Sequence, residues 1–248
     1  MKKITLISLF TTLSCSAIVH AGCMGGCSNS QGNNGAAFFA IEGGYAQNDI
    51  DGYNFTITPA FGTITSTDDN QNYLLRLSAG MMASLDDQVA VSGEMGWGYY
   101  GKTTLTPVFA GSTAGIFAPG SLNTSYSLNG FDALVGLIYT QPSFNLYLKV
   151  GALVENMKIE SNSNFSAFNP SENVTSTTNV TAVLPQVKIG AAYNFSENWA
   201  LTVSGVYAFG SNTGVSGSFN STSGNSSLII KEENPTISAA MVGLQYTV

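Results

Sequence analysis

The sequence contains few charged side chains. Only 9% of its 248 residues are Asp, Glu, Lys or Arg, against about 25% in ordinary soluble domains. The eight Lys and Arg residues are spread along a chain whose net charge is −7. This balance excludes nucleic-acid binding, because that function needs a basic patch that neutralises phosphates. The scarcity of charge also indicates that much of the folded surface faces something other than water.

Histidine is almost absent, since His20 is the only one in the sequence. Residues 1–21 begin with Lys2 and Lys3, continue with an apolar stretch and end in small residues at Ala21, which is the form of a secretory signal peptide. Cleavage there would leave the mature chain without histidine. Catalytic triads and imidazole metal sites are then excluded, and no catalytic residue is predicted.

Cysteine is also scarce, and only Cys23 and Cys27 would remain after cleavage. They lie in residues 22–35, which we expect to form a flexible periplasmic tail. In an oxidising compartment the two are candidates for a disulfide, and no further cysteine follows that would complete a metal site. Lipidation of Cys23 is the alternative, although His20 occupies a position where an aliphatic residue is usual before a lipidated cysteine.

Long apolar runs are missing too, because no segment beyond the signal reaches the ~18 uninterrupted apolar residues of a membrane helix. Apolar and polar residues instead alternate, and this period of two predicts β-strands with one apolar face. The alternating runs cover residues 36–47, 72–84, 88–100, 126–140, 144–156, 181–193, 199–209 and 235–248.

The connections between the runs are of two kinds. Four long polar segments, rich in Ser, Thr, Asn and Gly, alternate with three short turns. The long segments are residues 48–72, 101–125, 157–180 and 210–234. This asymmetry is typical of outer-membrane barrels. The predicted fold is therefore all-β: an eight-stranded antiparallel transmembrane β-barrel over residues 36–248, with four long outer loops and three short periplasmic turns.

The charges within the runs lie on the face opposite the large apolar residues. A Lys or Arg that faces lipid near the bilayer midplane costs about 2–4 kcal/mol, so the charged face should line the lumen. Lys149 should meet one of the acids there, either Glu42, Glu94 or Asp132. A soluble barrel or sandwich is the alternative, but aromatic residues near the ends of the apolar faces favour membrane interfaces. The predicted lumen ion-pair network comprises Glu42, Arg76, Glu94, Asp132, Lys149 and Lys188.

Three stretches, "FFAIEGGY", "LPQVKIGAAYNFSENWALTVSGVYAF" and "VGLQYTV", resemble the small eight-stranded outer-membrane barrels of Gram-negative bacteria, the OmpA-type transmembrane domain family. The resemblance implies an outer-membrane location and contact with outer-membrane lipid and lipopolysaccharide. It also implies recognition by the barrel-assembly machinery through Gly243, Tyr246 and Val248, although the family usually ends in phenylalanine. Because the chain stops at the eighth strand, a cell-wall tether is not predicted.

The leading functional hypothesis is a structural and surface-interaction protein, adhesin-like, whose side chains fill the narrow bore. A host or surface ligand would then bind at the outer loops. The alternative is a narrow porin that passes small solutes or ions across the outer membrane. The protein is not predicted to be an enzyme, and a Ser–carboxylate site in the loops is the remaining enzyme hypothesis.

Overall fold

A computed structural model describes residues 35–58, 62–68, 70–109, 122–164, 173–211, 213–220 and 225–248. The predicted signal peptide, most of the predicted tail, and Cys23 and Cys27 with it, lie outside the described residues. Every regular element in the described ranges is a β-strand. The same ranges contain no helix long and apolar enough to cross a membrane.

Twelve strands occur in the described part of the chain. They are β1 (Gly35–Asn48), β2 (Ile50–Thr58), β3 (Gly62–Asp68), β4 (Gln71–Ser84), β5 (Val89–Phe109), β6 (Leu122–Thr140), β7 (Phe144–Asn164), β8 (Asn173–Asn194), β9 (Trp199–Ala208), β10 (Thr213–Asn220), β11 (Asn225–Lys231) and β12 (Ile237–Thr247).

Eight of these strands close a ring. The order is β1, β4, β5, β6, β7, β8, β9 and β12, which pairs with β1 again, and all eight pairings are antiparallel. The predicted antiparallel ring of eight strands is confirmed. Residues 85–88, 141–143 and 195–198 make the three short turns at one end, called here the short-turn end. The opposite end is called the long-strand end.

The registers of the eight pairings fix the geometry of the ring. From Phe38, the paired residues are followed through Gly80, Glu94, Leu134, Gly151, Gln186, Ala208 and Ile237 to Asn48. The path returns to β1 ten residues beyond its start, from position 38 to position 48. With ~3.3 Å per residue and ~4.8 Å between strands, that shear tilts the strands by about 40°. At this tilt about ten residues cross a ~25 Å apolar band.

Four ring strands continue well beyond that length into segments predicted as loops. Strands β5, β6, β7 and β8 contain 21, 19, 21 and 22 residues. The pairing of β7 with β8 persists up to Asn164 and Asn173. These extensions are rich in Thr, Ser and Asn, so many residues on both faces are polar. The apolar–polar alternation that predicts the other strands is therefore missing there.

Four short strands complete the long-strand end. Strands β2 and β3 form a hairpin, and β3 pairs with the last part of β5. Strand β10 pairs in parallel with β2, from Thr213 opposite Ile50 to Asn220 opposite Thr58, and β11 pairs with β10. Within the membrane-length part of the ring β12 pairs with β1. Beyond it, β2 follows β1 along the chain, and β10 is its neighbour on the same side.

Candidate functional site

The inward side chains fill the bore in three layers. At the short-turn end lies a lower apolar layer, built from Ala36, Phe38, Met82, Ala90, Ile138, Tyr147, Ala192 and Ala200. A charged layer follows, and above it an upper apolar layer continues toward the long-strand end. The upper apolar layer includes Ala46, Leu74, Tyr100, Leu128, Leu153, Met157, Leu184, Val206, Ala208, Ile237, Ala239 and Met241.

The structure brings the six charged residues of the predicted network together in the charged layer. Each comes from a different strand, and the six strands, β1, β4, β5, β6, β7 and β8, follow one another around the ring. None of the six is more than 4% exposed. Three carboxylates and three cations meet there, so the formal charge of the layer is balanced.

Arg76 lies at the centre of the charged layer. Its Nε and Nη2 atoms donate to the two carboxylate oxygens of Asp132, at 2.8 and 2.5 Å. Its Nη1 atom lies 2.6 Å from both Glu42 Oε2 and Glu94 Oε1. One guanidinium therefore contacts all three acids, and the bidentate pairing with Asp132 also fixes its orientation.

The two lysines contact two of these acids, Glu42 and Glu94. Lys149 Nζ donates to Glu94 Oε2, which resolves the choice of partner that the sequence left open. Lys188 Nζ bridges Glu42 Oε2 at 2.7 Å and Glu94 Oε1 at 3.0 Å. The Lys149 ammonium also lies 5.0 Å from the ring centre of Phe38 and 4.9 Å from that of Tyr147. These cation–π contacts connect the charged layer to the lower apolar layer.

Small residues make room for these buried charges. A Cβ atom at Gly96 would lie 2.7 Å from Arg76 Nη2 and 2.9 Å from its Cζ atom. Ser204 on β9 donates from Oγ to Glu42 Oε1 at 3.1 Å. Neither residue was assigned to the site from the sequence, because a glycine or serine on the lumen face carries no charge signal.

Glu155 is a further buried acid that sequence reasoning missed. It lies in the upper apolar layer, fully buried, and neither carboxylate oxygen has a hydrogen-bond partner among the described residues. The side chain of Asn234 lies beside it. The signal was available, because Glu155 has the same parity along β7 as Lys149 and so faces the lumen. The described residues hold no cluster of His, Cys, Asp and Glu suited to a metal ion.

The three residues of the predicted assembly signal lie where the ring closes. Gly243 pairs with Glu42 on β1, and Tyr246 stacks near Trp199 of β9 with ring centres 5.0 Å apart. The amide of Val248 donates to the carbonyl of Ala37 at 2.9 Å. The structure therefore places all three at the closing seam of the barrel, and their role as an assembly signal stays a prediction.

The outward side chains form a continuous apolar belt. Large apolar residues are exposed on all eight ring strands, among them Leu148 at 52% and Ile189 at 61%. Aromatic pairs flank the belt: Tyr45 and Tyr73 at the long-strand end, 5.1 Å apart, and Trp199 and Tyr246 at the short-turn end. Water-soluble monomers do not expose an apolar surface of this extent, and girdles of this kind mark the two interfaces of a bilayer. The chain is an eight-stranded transmembrane β-barrel. Transmembrane β-barrels with an even number of antiparallel strands are the type found in bacterial outer membranes.

Comparisons with known proteins add structural likenesses only. No protein-family model matches the sequence, and a search of curated proteins finds no match. Among solved structures, Ail, the attachment invasion locus protein of Yersinia pestis, is 12% identical, with 86% of this chain and 99% of that chain covered and a TM-score of 0.40. The outer membrane protein OprG from Pseudomonas aeruginosa is 14% identical, with 86% and 96% covered and a TM-score of 0.47. The outer membrane protease OmpT from Escherichia coli is 12% identical, with 90% and 99% covered and a TM-score of 0.43. Similarity at this level carries no argument about function.

The charge balance of the lumen generates a first prediction. Lys149→Met leaves Glu94 buried with one cation fewer and should lower the free energy of unfolding by about 3–5 kcal/mol. The double variant Lys149→Met/Glu94→Gln restores balance, with two acids facing two cations, and should recover a substantial part of that loss. Urea unfolding of the refolded protein in lipid vesicles measures both. A double variant that is no more stable than Lys149→Met would contradict the coupling.

A second prediction tests the assignment of the two faces. Leu148 is adjacent to Lys149 on β7 but lies in the apolar belt. Leu148→Lys should cost about 2–4 kcal/mol and lower the fraction of protein that inserts into vesicles. Leu148→Ala serves as the control for lost volume. Unboiled migration on a denaturing gel reports the inserted fraction, and insertion of Leu148→Lys at the level of the Ala control would show that the faces are assigned wrongly.

Glu155 gives a third prediction. Replacement by Met removes a buried carboxylate that has no hydrogen-bond partner among the described residues, so the free energy of unfolding should rise by about 1–3 kcal/mol. Glu155→Gln keeps a buried polar group of the same size and should gain less. The same urea titration measures both variants. A loss of stability in Glu155→Met would mean that the carboxylate is held by a stabilising partner.

Proposed function

We propose that this protein is a surface-interaction barrel, adhesin-like, which is anchored in the outer membrane of a Gram-negative bacterium and binds through its extension at the long-strand end. The observation that carries the proposal is that the bore is filled while four strands continue about ten residues beyond the apolar belt. Residues 1–21 would act as the signal peptide and 22–35 as a periplasmic tail, and the three short turns would face the periplasm.

The filled bore argues against transport as the main role. An eight-stranded ring encloses a space just wide enough for side chains. Here Phe38 fills the lower apolar layer, Arg76 spans the charged layer and Leu153 fills the upper apolar layer, each almost fully buried. A solute that passed through would have to displace both an apolar layer and a set of buried ion pairs.

The extension presents a broad polar surface on its outside, called here the polar outer face. A shallow cavity of about 580 Å³ lies on it. Paired residues Thr104, Ser125, Glu160 and Thr177 form one row across the four extended strands. The face comprises the outward side chains Lys102, Thr104, Thr106, Asn123, Ser125, Lys158, Glu160, Asn162 and Thr177.

The charges on this face are few and paired. Glu160 lies 2.6 Å from Lys158 and 3.5 Å from Lys102. The hydrogen bond from Lys158, with the positive charges of both lysines, holds the pKa of the Glu160 carboxyl below its ordinary value. Hydroxyl and amide groups therefore dominate, and such groups suit the hydroxyls of a saccharide.

The position of the polar outer face narrows the class of partner. It continues along the four extended strands well beyond the Tyr45 and Tyr73 pair, so in the membrane its outer part stands at the height of the sugars of lipopolysaccharide. We assign its partner to surface saccharides, either of lipopolysaccharide or of a host cell. Assembly through Gly243, Tyr246 and Val248 remains part of the proposal.

Two measurements on the full-length mature protein test the proposed function. In planar bilayers the refolded barrel should give no stable openings, because the bore is filled; stable openings would overturn the proposal and favour the narrow porin.

The second measurement tests the polar outer face itself. A bacterial strain that does not normally adhere is made to display the barrel, and its adherence to cultured epithelial cells is measured. The variant Thr104→Val/Ser125→Ala/Thr177→Val removes three hydroxyls and should lower adherence about ten-fold or more.

The matched control for adherence alters polar residues at the short turns, Gln141→Ala and Glu197→Ala, and should leave adherence unchanged. Equal display of all variants is checked with an epitope tag. Adherence that is insensitive to the three hydroxyl substitutions, or equally sensitive to the control, would overturn the polar outer face as the surface that binds host-cell saccharides.

A further inference from the structure

The apolar belt contains a groove of about 580 Å³ on its outer wall. The groove crosses strands β1, β12, β9 and β8, on the membrane side of the barrel rather than in the bore. It is called here the wall groove. Its volume lies within the ~300–1,000 Å³ range of small-molecule sites.

The groove arises from one row of paired residues. Tyr45 on β1 pairs with Ala240 on β12, Ala240 pairs with Gly205 on β9, and Gly205 pairs with Ile189 on β8. Across this row the side chains are therefore large on β1, small on β12 and β9, and large on β8. The two middle strands form the floor of the groove, and the large side chains form its two sides. Within the part of the chain that the structure describes, a Cβ atom at Gly205 would meet no atom closer than 3.8 Å, so the space above it is open.

The polarity of the wall groove changes with membrane depth. Toward the middle of the bilayer it is lined by Ile189, Gly205 and Ala240. Toward the long-strand end the lining is mixed and uncharged. Gln71, Gln47 and Ser238 pair in register across three strands, and Tyr207 and Val187 continue the same row on β9 and β8. None of the described residues that line it is Asp, Glu, Lys or Arg.

We propose that the wall groove binds one acyl chain of a membrane lipid, with the ester or amide carbonyl of that chain beside Gln47, Gln71 and Ser238. The polar end begins one outward-facing row beyond the Tyr45 and Tyr73 pair, in the interface region where such carbonyls are found. The absence of charge in the groove lining fits a chain and its carbonyl rather than a phosphate.

The energetic gain comes from packing rather than from the hydrophobic effect. The acyl chain leaves one apolar environment for another, so no apolar surface is removed from water. Mobile lipid packs poorly against the small residues of the groove floor, so few dispersion contacts form there. An acyl chain bound along Gly205 and Ala240 makes these contacts. Ordering one chain costs conformational entropy, which the raised sides at Tyr45 and Ile189 offset by contact on both flanks.

Native mass spectrometry of the mature barrel, titrated in detergent with phosphatidylglycerol, tests the proposal. The unaltered protein should retain one lipid more tightly than all others. Gly205→Leu fills the floor of the groove and should weaken this retention about ten-fold. Gly93→Leu is the matched control, because Gly93 also lies on the outer wall, on β5, and a Cβ atom there would meet no atom of the described residues within 4 Å. Unboiled gel migration verifies that both variants are folded.

Unchanged retention in Gly205→Leu, or equal loss in Gly93→Leu, would overturn the proposal. Phosphatidylcholine with the same chains should be retained as well as phosphatidylglycerol, and strong dependence on headgroup charge would also overturn it. If Gly205→Leu does not fold, the unaltered protein is labelled with a phospholipid that carries a photoreactive group on its acyl chain. Cross-links should then concentrate on β8, β9 and β12, whereas labelling spread evenly around the wall would contradict the groove.

Discussion

The rest of the structure depends on the burial of Arg76 among three carboxylates. A buried cation in the middle of the bore is stable only when carboxylates lie at the same level of the barrel. For Arg76 these carboxylates are on β1, β5 and β6. Since side chains alternate between lumen and lipid, a slip of one residue in any of these strands would turn its charge toward lipid and leave the others unpaired. The charged layer therefore selects one register, the register sets the shear of ten residues, and the shear sets the tilt and width of the barrel.

The same registers explain where interaction surfaces can form. The charged layer and the two apolar layers fill the bore, so binding surfaces must lie on the outside of the barrel. Beyond the membrane the extended β5 to β8 offer hydroxyl groups in rows, as with Thr104 and Ser125. Within the membrane the pairing of Gly205 with Ala240 leaves a groove between taller neighbours. Both surfaces follow from which residues stand side by side, and the membrane decides which chemistry each one meets.

The fold and the members of the charged layer were predictable from the sequence. Alternate residues of each strand face the lumen and the lipid, and a charge on the lipid face is so unfavourable that charged residues mark the lumen face. The pairing of Lys149 with Glu94 was not predictable, because it depends on shear, which no single strand encodes. The sequence predicts loops where the long extensions lie, because their Thr, Ser and Asn residues do not alternate between apolar and polar. Glu155 was missed although it lies on the same face of β7 as Lys149. The wall groove could not be predicted, because it depends on the registers of three strand pairs together.

The most direct test of this account is a distance between two side-chain atoms in a lipid bilayer. Solid-state nuclear magnetic resonance of the barrel, labelled at the lysine Nζ and glutamate Cδ atoms, can measure the separation of Lys149 from Glu94. The buried ion pair predicts direct hydrogen-bond contact, with slow exchange of the ammonium protons with water. A separation beyond hydrogen-bond reach, or an ammonium group that exchanges as fast as an exposed lysine, would contradict it.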